Sequence, residues 1–314
     1  MIYIHTLGRG GRGQSLCVML LGRFALSEGH YCLVFECLGP SLYDFMKKHK
    51  YQPFPLYCIQ DFAAQILDAL DFLHGFGLVH TDLKPENLCL LNHDETMYAS
   101  SSTTRSRNDD GYVSSVQIVP KSTRIKLIDF GGATYDDEKK SSVVNTRQYR
   151  APEVILGLTW SFPSDLWCLV RLFFNFLYPV YPNNLKSHTF HILQGCILAE
   201  LFIGDLLFPT HDNIEHLALM ERTIGRFPVE MLRRSDTLGA TAFDKYGWHK
   251  LDLSTESLNL VRKCESLENL IMERDKSSVL VGLVSLLRSL LTIDPKMRVT
   301  AGEAKKCPIF SVRV

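Results

Sequence analysis

The 314-residue sequence has no excess of charge of either sign: Lys plus Arg and Asp plus Glu both number 34. Such a balance gives no global electrostatic reason to bind a polyanion or an anionic bilayer, so neither direct nucleic-acid binding nor membrane attachment is expected. The nine cysteines, at 17, 32, 37, 58, 89, 168, 196, 264 and 307, include no Cys-x-x-Cys pair, and several sit in apolar surroundings such as HYCLVF and NLCLL. They read as buried thiols in a reducing compartment rather than as a disulfide framework or a zinc site. Long apolar runs are lacking too. The stretch LFFNFLYPVYPNNL at 172–185 has 14 uncharged residues and two prolines, too short and too broken to span a bilayer. The first residues carry no basic region followed by an apolar run and a cleavage site. What remains is the expectation of a soluble intracellular protein, with 46% hydrophobic residues to build a core without staples.

What is present is mostly helical patterning. From Tyr57 to His74 the apolar residues Ile59, Phe62, Ile66, Leu70 and Leu73 recur every three or four positions, which predicts a helix packed on one side, ended by Gly75 and Gly77. HYCLVFECL reads as a buried strand and GPSLYDFMKKH as a turn leading into a short helix. NLCLL at 87–91 and RIKLIDF at 124–130 are short apolar stretches separated by a Ser-, Asn- and Asp-rich segment, 92–123, expected as an exposed loop or irregular hairpin. SDLWCLVRLFF begins like a buried helix, with Ser164 or Asp165 near its start, and helical patterning returns in GCILAELF, IEHLALMERTIG and VLVGLVSLLRSLLTI.

The chemistry is concentrated in LVHTDLKPENLCLL (78–91) and IKLIDFGGAT (125–134). Asp82 and Asn87 stand five residues apart in a loop between a helix and a strand, and Asp129 follows another strand before two glycines. This arrangement can bring together a carboxylate that receives a proton, an amide and a second carboxylate that hold a metal. Phosphoryl transfer needs those parts, because the acceptor hydroxyl must be oriented and magnesium must neutralise the phosphates. Lys84 can aim an ammonium at the same transferring group.

These segments resemble the catalytic and metal-binding loops of the eukaryotic protein kinases. The resemblance extends to APE at 151–153, to Asp165 at the start of a buried helix, and to DPKMRVT at 294–300. It implies an α+β protein-kinase-like fold, mostly the helical C-terminal lobe with a truncated small β lobe. Asp82 and Lys84 are implied as catalytic, Asn87 and Asp129 as magnesium ligands, and Glu36, Leu38, Asn87 and Asp129 as ATP-binding residues. It further implies that Glu153 pairs with Arg298 and that Asp165 binds the backbone of the catalytic loop.

Finer features resemble the LAMMER, or CDC-like, kinases: Thr81 in place of the usual arginine, EHLALMER at 215–222, TRQYRAPEVIL at 146–156 and the insertion at 92–123. The resemblance implies phosphorylation of serine and threonine on arginine-serine-rich splicing factors, autophosphorylation on tyrosine, a monomer, and location in the nucleus or cytoplasm with the nucleus favoured. Thr81 cannot pair with an activation-loop phosphate, so phosphorylation of Ser141, Ser142 or Thr146 should matter less for ordering that loop.

Two departures set limits. Glycines 8, 10 and 13 have the spacing of a phosphate loop, yet no lysine occurs before Lys47, and Glu28 and Glu36 are the only glutamates ahead of it. The hinge-like LVFECLG begins 20 residues after Gly13, so the loop fails its context and residues 1–36 read as the remnant of a small lobe, with 37–314 as the helical lobe. Missing N-terminal sequence is the expected cause. Between SDLWC and GCILAELF about 25 residues, 169–194, interrupt a helix with aromatics and with Pro179 and Pro182, and are read as a translated non-coding segment. The alternative function is therefore an inactive kinase fragment that binds proteins.

Overall fold

The computed structural model describes residues 14–27, 29–52, 54–99, 104–105, 112–113, 116–169, 210, 212–272 and 278–312. The glycines at 8, 10 and 13, the insertion expected at 169–194 apart from Leu169, and GCILAELF lie outside these residues. Two antiparallel strands come first, β1 (Leu20–Ala25) and β2 (Tyr31–Phe35). Four further pairs follow among β3 (Leu78–Val79), β4 (Leu88–Leu90), β5 (Glu95–Ala99), β6 (Thr104–Arg105), β7 (Tyr112–Val113), β8 (Val116–Pro120), β9 (Ile125–Leu127) and β10 (Thr134–Tyr135). Their pairing is β3 with β10, β4 with β9, β5 with β8 and β6 with β7. The other elements among the described residues are helical, so the class is the α+β expected.

The helix Leu56–Gly75 is the axis of the core. Ile59, Phe62, Ile66, Leu70 and Leu73 are all buried, as their spacing requires. The helix stops where Phe76 caps it and Gly77 takes a φ of +76°, a left-handed turn that glycine adopts without steric cost. Its polar residues are fasteners. Gln60 donates to the carbonyls of Ile309 and Val312 at 2.8 and 2.9 Å, tying down the C-terminal turn. Gln65 donates to Thr123 O and accepts from Ile125 N–H at 2.8 and 3.1 Å, which docks β9 against the helix. The helix Asn213–Ile224, which carries EHLALMER, buries His216, Leu217, Leu219 and Met220. Its Glu221 accepts from His249 N–H at 2.9 Å and its Arg222 donates to Cys264 O at 3.0 Å, so this motif packs the lobe.

Among the described residues of 92–123, β5 pairs with β8 in register from Glu95↔Pro120 to Ala99↔Val116, the hairpin of the two forms expected. The strand read from HYCLVF is present as β2 but is not buried. Tyr31 is 86% exposed, Val34 and Phe35 are also open and Cys32 and Leu33 are only half-buried, and among the described residues β1 is the strand that pairs with it. Among the described residues no helix is long and apolar enough to cross a membrane.

Candidate active site

The loop His80–Asn87 is built around one buried carboxylate. Asp165 lies in the first turn of the helix Pro163–Leu169, wholly buried, and accepts from His80 N–H at 2.8 Å, Thr81 N–H at 3.0 Å and His74 Nε2 at 3.0 Å. Burial alone would raise this carboxyl, but the hydrogen bond and charge of His74, joined by the His80 ring and N–H, outweigh it and hold Asp165 below its ordinary range. His80 is fixed in turn. Its Nε2 faces Ile128 O at 3.1 Å and its Nδ1 faces Asp82 N–H at 3.3 Å, so the ring is held from both sides. A helix-start aspartate therefore sets the path of the chain into Asp82, and the expected contact of Asp165 with this loop is present.

Asp82 is half-buried and each of its oxygens is engaged. Oδ1 accepts from the Thr146 hydroxyl at 2.9 Å, and Oδ2 accepts from Lys84 Nζ at 2.6 Å. Asn87 donates from Nδ2 to Asp82 O at 2.9 Å, with Asp82 Oδ2 at 3.4 Å, which fixes the amide's orientation and leaves Oδ1 as its acceptor face. The ladder β4–β9 then brings Asp129 beside Asn87. Leu88 is opposite Leu127, and Ile128 N–H donates to Asn87 O at 2.9 Å, so Asp129 emerges at the same end of the pair. Asp129 is exposed, has a φ of +63°, and accepts at Oδ1 from Gly131 N–H at 3.2 Å.

The segment after Asp129 returns to this loop. Asp136 accepts from Lys140 at 2.6 Å and Ser161 at 2.6 Å; burial would raise it, but these two donors hold it low. Glu153 and Arg298, both buried, form a two-toothed pair at 2.8 and 3.0 Å, as the resemblance implies. The Thr146 hydroxyl is on Asp82 rather than turned to solvent.

Two other residues bear on a ligand. The Glu36 carboxylate accepts from Met19 N–H at 2.7 Å and is paired with Lys126, so the side chain is already committed. Leu38 is half-buried two residues on. Sequence reasoning missed Glu86. Its Oε2 is buried with no hydrogen-bond partner among the described residues, and its carboxyl is raised by burial despite its own N–H and Lys84, with Asp82 and Asp44 pushing the same way. The signal was available as a glutamate placed between Lys84 and Asn87.

Among the described residues no cluster of three or more His, Cys, Asp or Glu side chains could hold a metal unaided. Asn87 and Asp129 do offer an amide oxygen and an open carboxylate at one place. That sparse, hard-oxygen set fits a magnesium ion completed by phosphate oxygens and water.

The protein kinase domain model matches residues 14–310. Among curated proteins, the chain is 38% identical over 316 residues to serine/threonine-protein kinase AFC2 of Arabidopsis thaliana, covering 99% of this chain and 66% of that protein. It is 38% identical over 301 residues to dual specificity protein kinase lkh1 of Schizosaccharomyces pombe, covering 95% of this chain and 38% of that protein. The chain thus spans just under two thirds of one relative and well under half of the other. The crystal structure of the PF14_0431 kinase domain matches 98% of this chain and 81% of its own, with a TM-score of 0.76 at 34% identity.

Proposed function

The chain belongs to the protein kinase family, within its LAMMER or CDC-like group, and on that premise we propose that it transfers the γ-phosphoryl group of ATP to hydroxyls of basic protein substrates. The observation that carries the reading is the pair of contacts on Asp82: an alcohol at 2.9 Å on one oxygen and an ammonium at 2.6 Å on the other. A substrate hydroxyl taking the place of Thr146 would be held by Asp82, which orients it and receives its proton as the bond to phosphorus forms. Lys84 keeps a cation beside the transferring group. Asn87 and Asp129 would hold magnesium together with the phosphates of ATP, and the ion supplies charge neutralisation there. Glu36 and Leu38 belong to the nucleotide side of the reading. Because the Glu36 carboxylate is taken by Lys126, its part in binding falls to the backbone.

The finer substrate reading rests on Glu86. Glu86 is half-buried, and a carboxylate at such a place takes a guanidinium with both charge and hydrogen bonds. Asp82 and Asp44 make the same neighbourhood acidic. An arginine-containing peptide fits, which agrees with arginine-serine-rich splicing factors as substrates and the nucleus as the place of action.

The test is phosphate transfer to an arginine-serine peptide by this chain joined, ahead of residue 14, to the complete small lobe of AFC2. Asp82→Ala is expected to lower kcat at least ~100-fold with nucleotide affinity largely kept. An unchanged kcat would overturn the role of Asp82.

A further inference from the structure

We propose that Asn145 is a positioning residue: it staples the segment 136–150 to the catalytic loop, so that the neighbouring Thr146 hydroxyl rests on Asp82 without any phosphate in that segment. The starting point is Thr81, whose φ of +73° turns its groups in three directions. Its N–H goes to Asp165 and its hydroxyl donates to Gly132 O at 2.9 Å. Its carbonyl receives two donors from one residue, Asn145 N–H at 3.0 Å and Asn145 Nδ2 at 2.9 Å. Since a carbonyl can only accept, the amide of Asn145 must present its NH2 there. Its Oδ1 is left buried with no hydrogen-bond partner among the described residues, a cost the site carries while keeping the donor.

The residue type suits the backbone as well. Asn145 has a φ of +62° and is 7% exposed, and asparagine enters the left-handed region more readily than other residues with a side chain. From the opposite side Arg150 donates to Val144 O at 3.2 Å and Asn145 O at 3.3 Å. The segment is therefore held at consecutive residues, and the next one, Thr146, is delivered to Asp82 at 2.9 Å. In kinases with arginine at the Thr81 position, an arginine–phosphate pair gives such order. Here hydrogen bonds within the chain supply it with no phosphate, and they are present whenever the chain is folded.

The proposal uses the reading of Asp82 only for its consequence, so its experiment measures order in the segment rather than turnover. Asn145→Asp keeps the size and the tolerance of positive φ but sets a carboxylate oxygen against Thr81 O. Asn145→Gly keeps the backbone conformation and N–H and removes the amide. In the 314-residue chain, trypsin cleavage after the exposed Arg147 should quicken roughly tenfold in Asn145→Asp and by a smaller factor in Asn145→Gly. The methyl NMR signal of Thr146 should move toward its unstructured position while the methyl signals of core residues such as Ile66, Leu70 and Leu73 stay put. Unchanged cleavage and an unmoved Thr146 signal in either folded variant would overturn the proposal. Should Asn145→Asp fail to fold, Asn145→Gly alone decides it. An opened segment with kcat unchanged in the chain joined to the small lobe of AFC2 would count against Asp82's reading and leave the staple standing.

Discussion

Replacing Arg298 by alanine removes the fastening between the activation segment and the end of the lobe. The Arg298 and Glu153 side chains are both at zero exposure. The guanidinium donates to both carboxylate oxygens of Glu153, at 2.8 and 3.0 Å, and to the carbonyls of Pro163, Thr292 and Ile293 at 2.7, 2.9 and 3.2 Å. It also lies 4.9 Å from the centre of the Trp167 ring. Alanine would leave a buried carboxylate with no counter-charge, which costs about 3–5 kcal/mol. The three carbonyls left without a donor push the loss to the upper part of that range, a large share of the roughly 5–15 kcal/mol that holds a domain folded. Urea unfolding followed by tryptophan fluorescence and circular dichroism measures it, with the exposed pair Arg233–Glu230 as a comparison whose loss should barely shift the midpoint. The double variant Glu153→Leu, Arg298→Met should lose less than Arg298→Ala alone, because no charge is then stranded. A loss below about 1 kcal/mol for Arg298→Ala, or a double variant worse than the single, would refute the reasoning.

Asp165→Asn should weaken the fold by about 2 kcal/mol at neutral pH, since one of the two loop N–H groups then faces an NH2. Asp165 is held below its ordinary value of 3.8, so its contribution is complete above that pH and drains as pH falls through the lower folded value; the variant should show a flatter acid limb in the same unfolding measurement. Glu86→Gln should raise KM for an arginine-serine peptide roughly tenfold and leave KM for ATP alone, and equal changes in both would remove Glu86 from substrate recognition.

Much of the site was legible because its chemistry is local in sequence. Asp82, Lys84 and Asn87 sit in one loop, and the short apolar stretches flanking it became β4 and β9, whose pairing places Asp129 at the same end. The helix Leu56–Gly75 was legible because a single buried face writes its period into the sequence. What escaped were properties set by tertiary contact. The exposure of β2 depends on what packs over it, and an apolar strand reads the same covered or bare. The contact of Thr146 with Asp82 escaped because nothing near it in sequence reveals a partner 64 residues away. Asn145 and Glu86 escaped for the same reason, one being defined by the carbonyl it faces and the other by the partner it lacks.

The central claim is that these residues form the acceptor and metal half of a phosphoryl-transfer centre. Radiolabel transfer from ATP to an arginine-serine peptide tests it most directly, comparing this chain joined to the small lobe of AFC2 with the same protein carrying Asp82→Ala and Asp129→Ala. The account predicts transfer by the joined chain and a fall of at least ~100-fold in the double variant, because each substitution removes a group that acts on the transferring phosphate. Transfer by the double variant at the unsubstituted rate would contradict it.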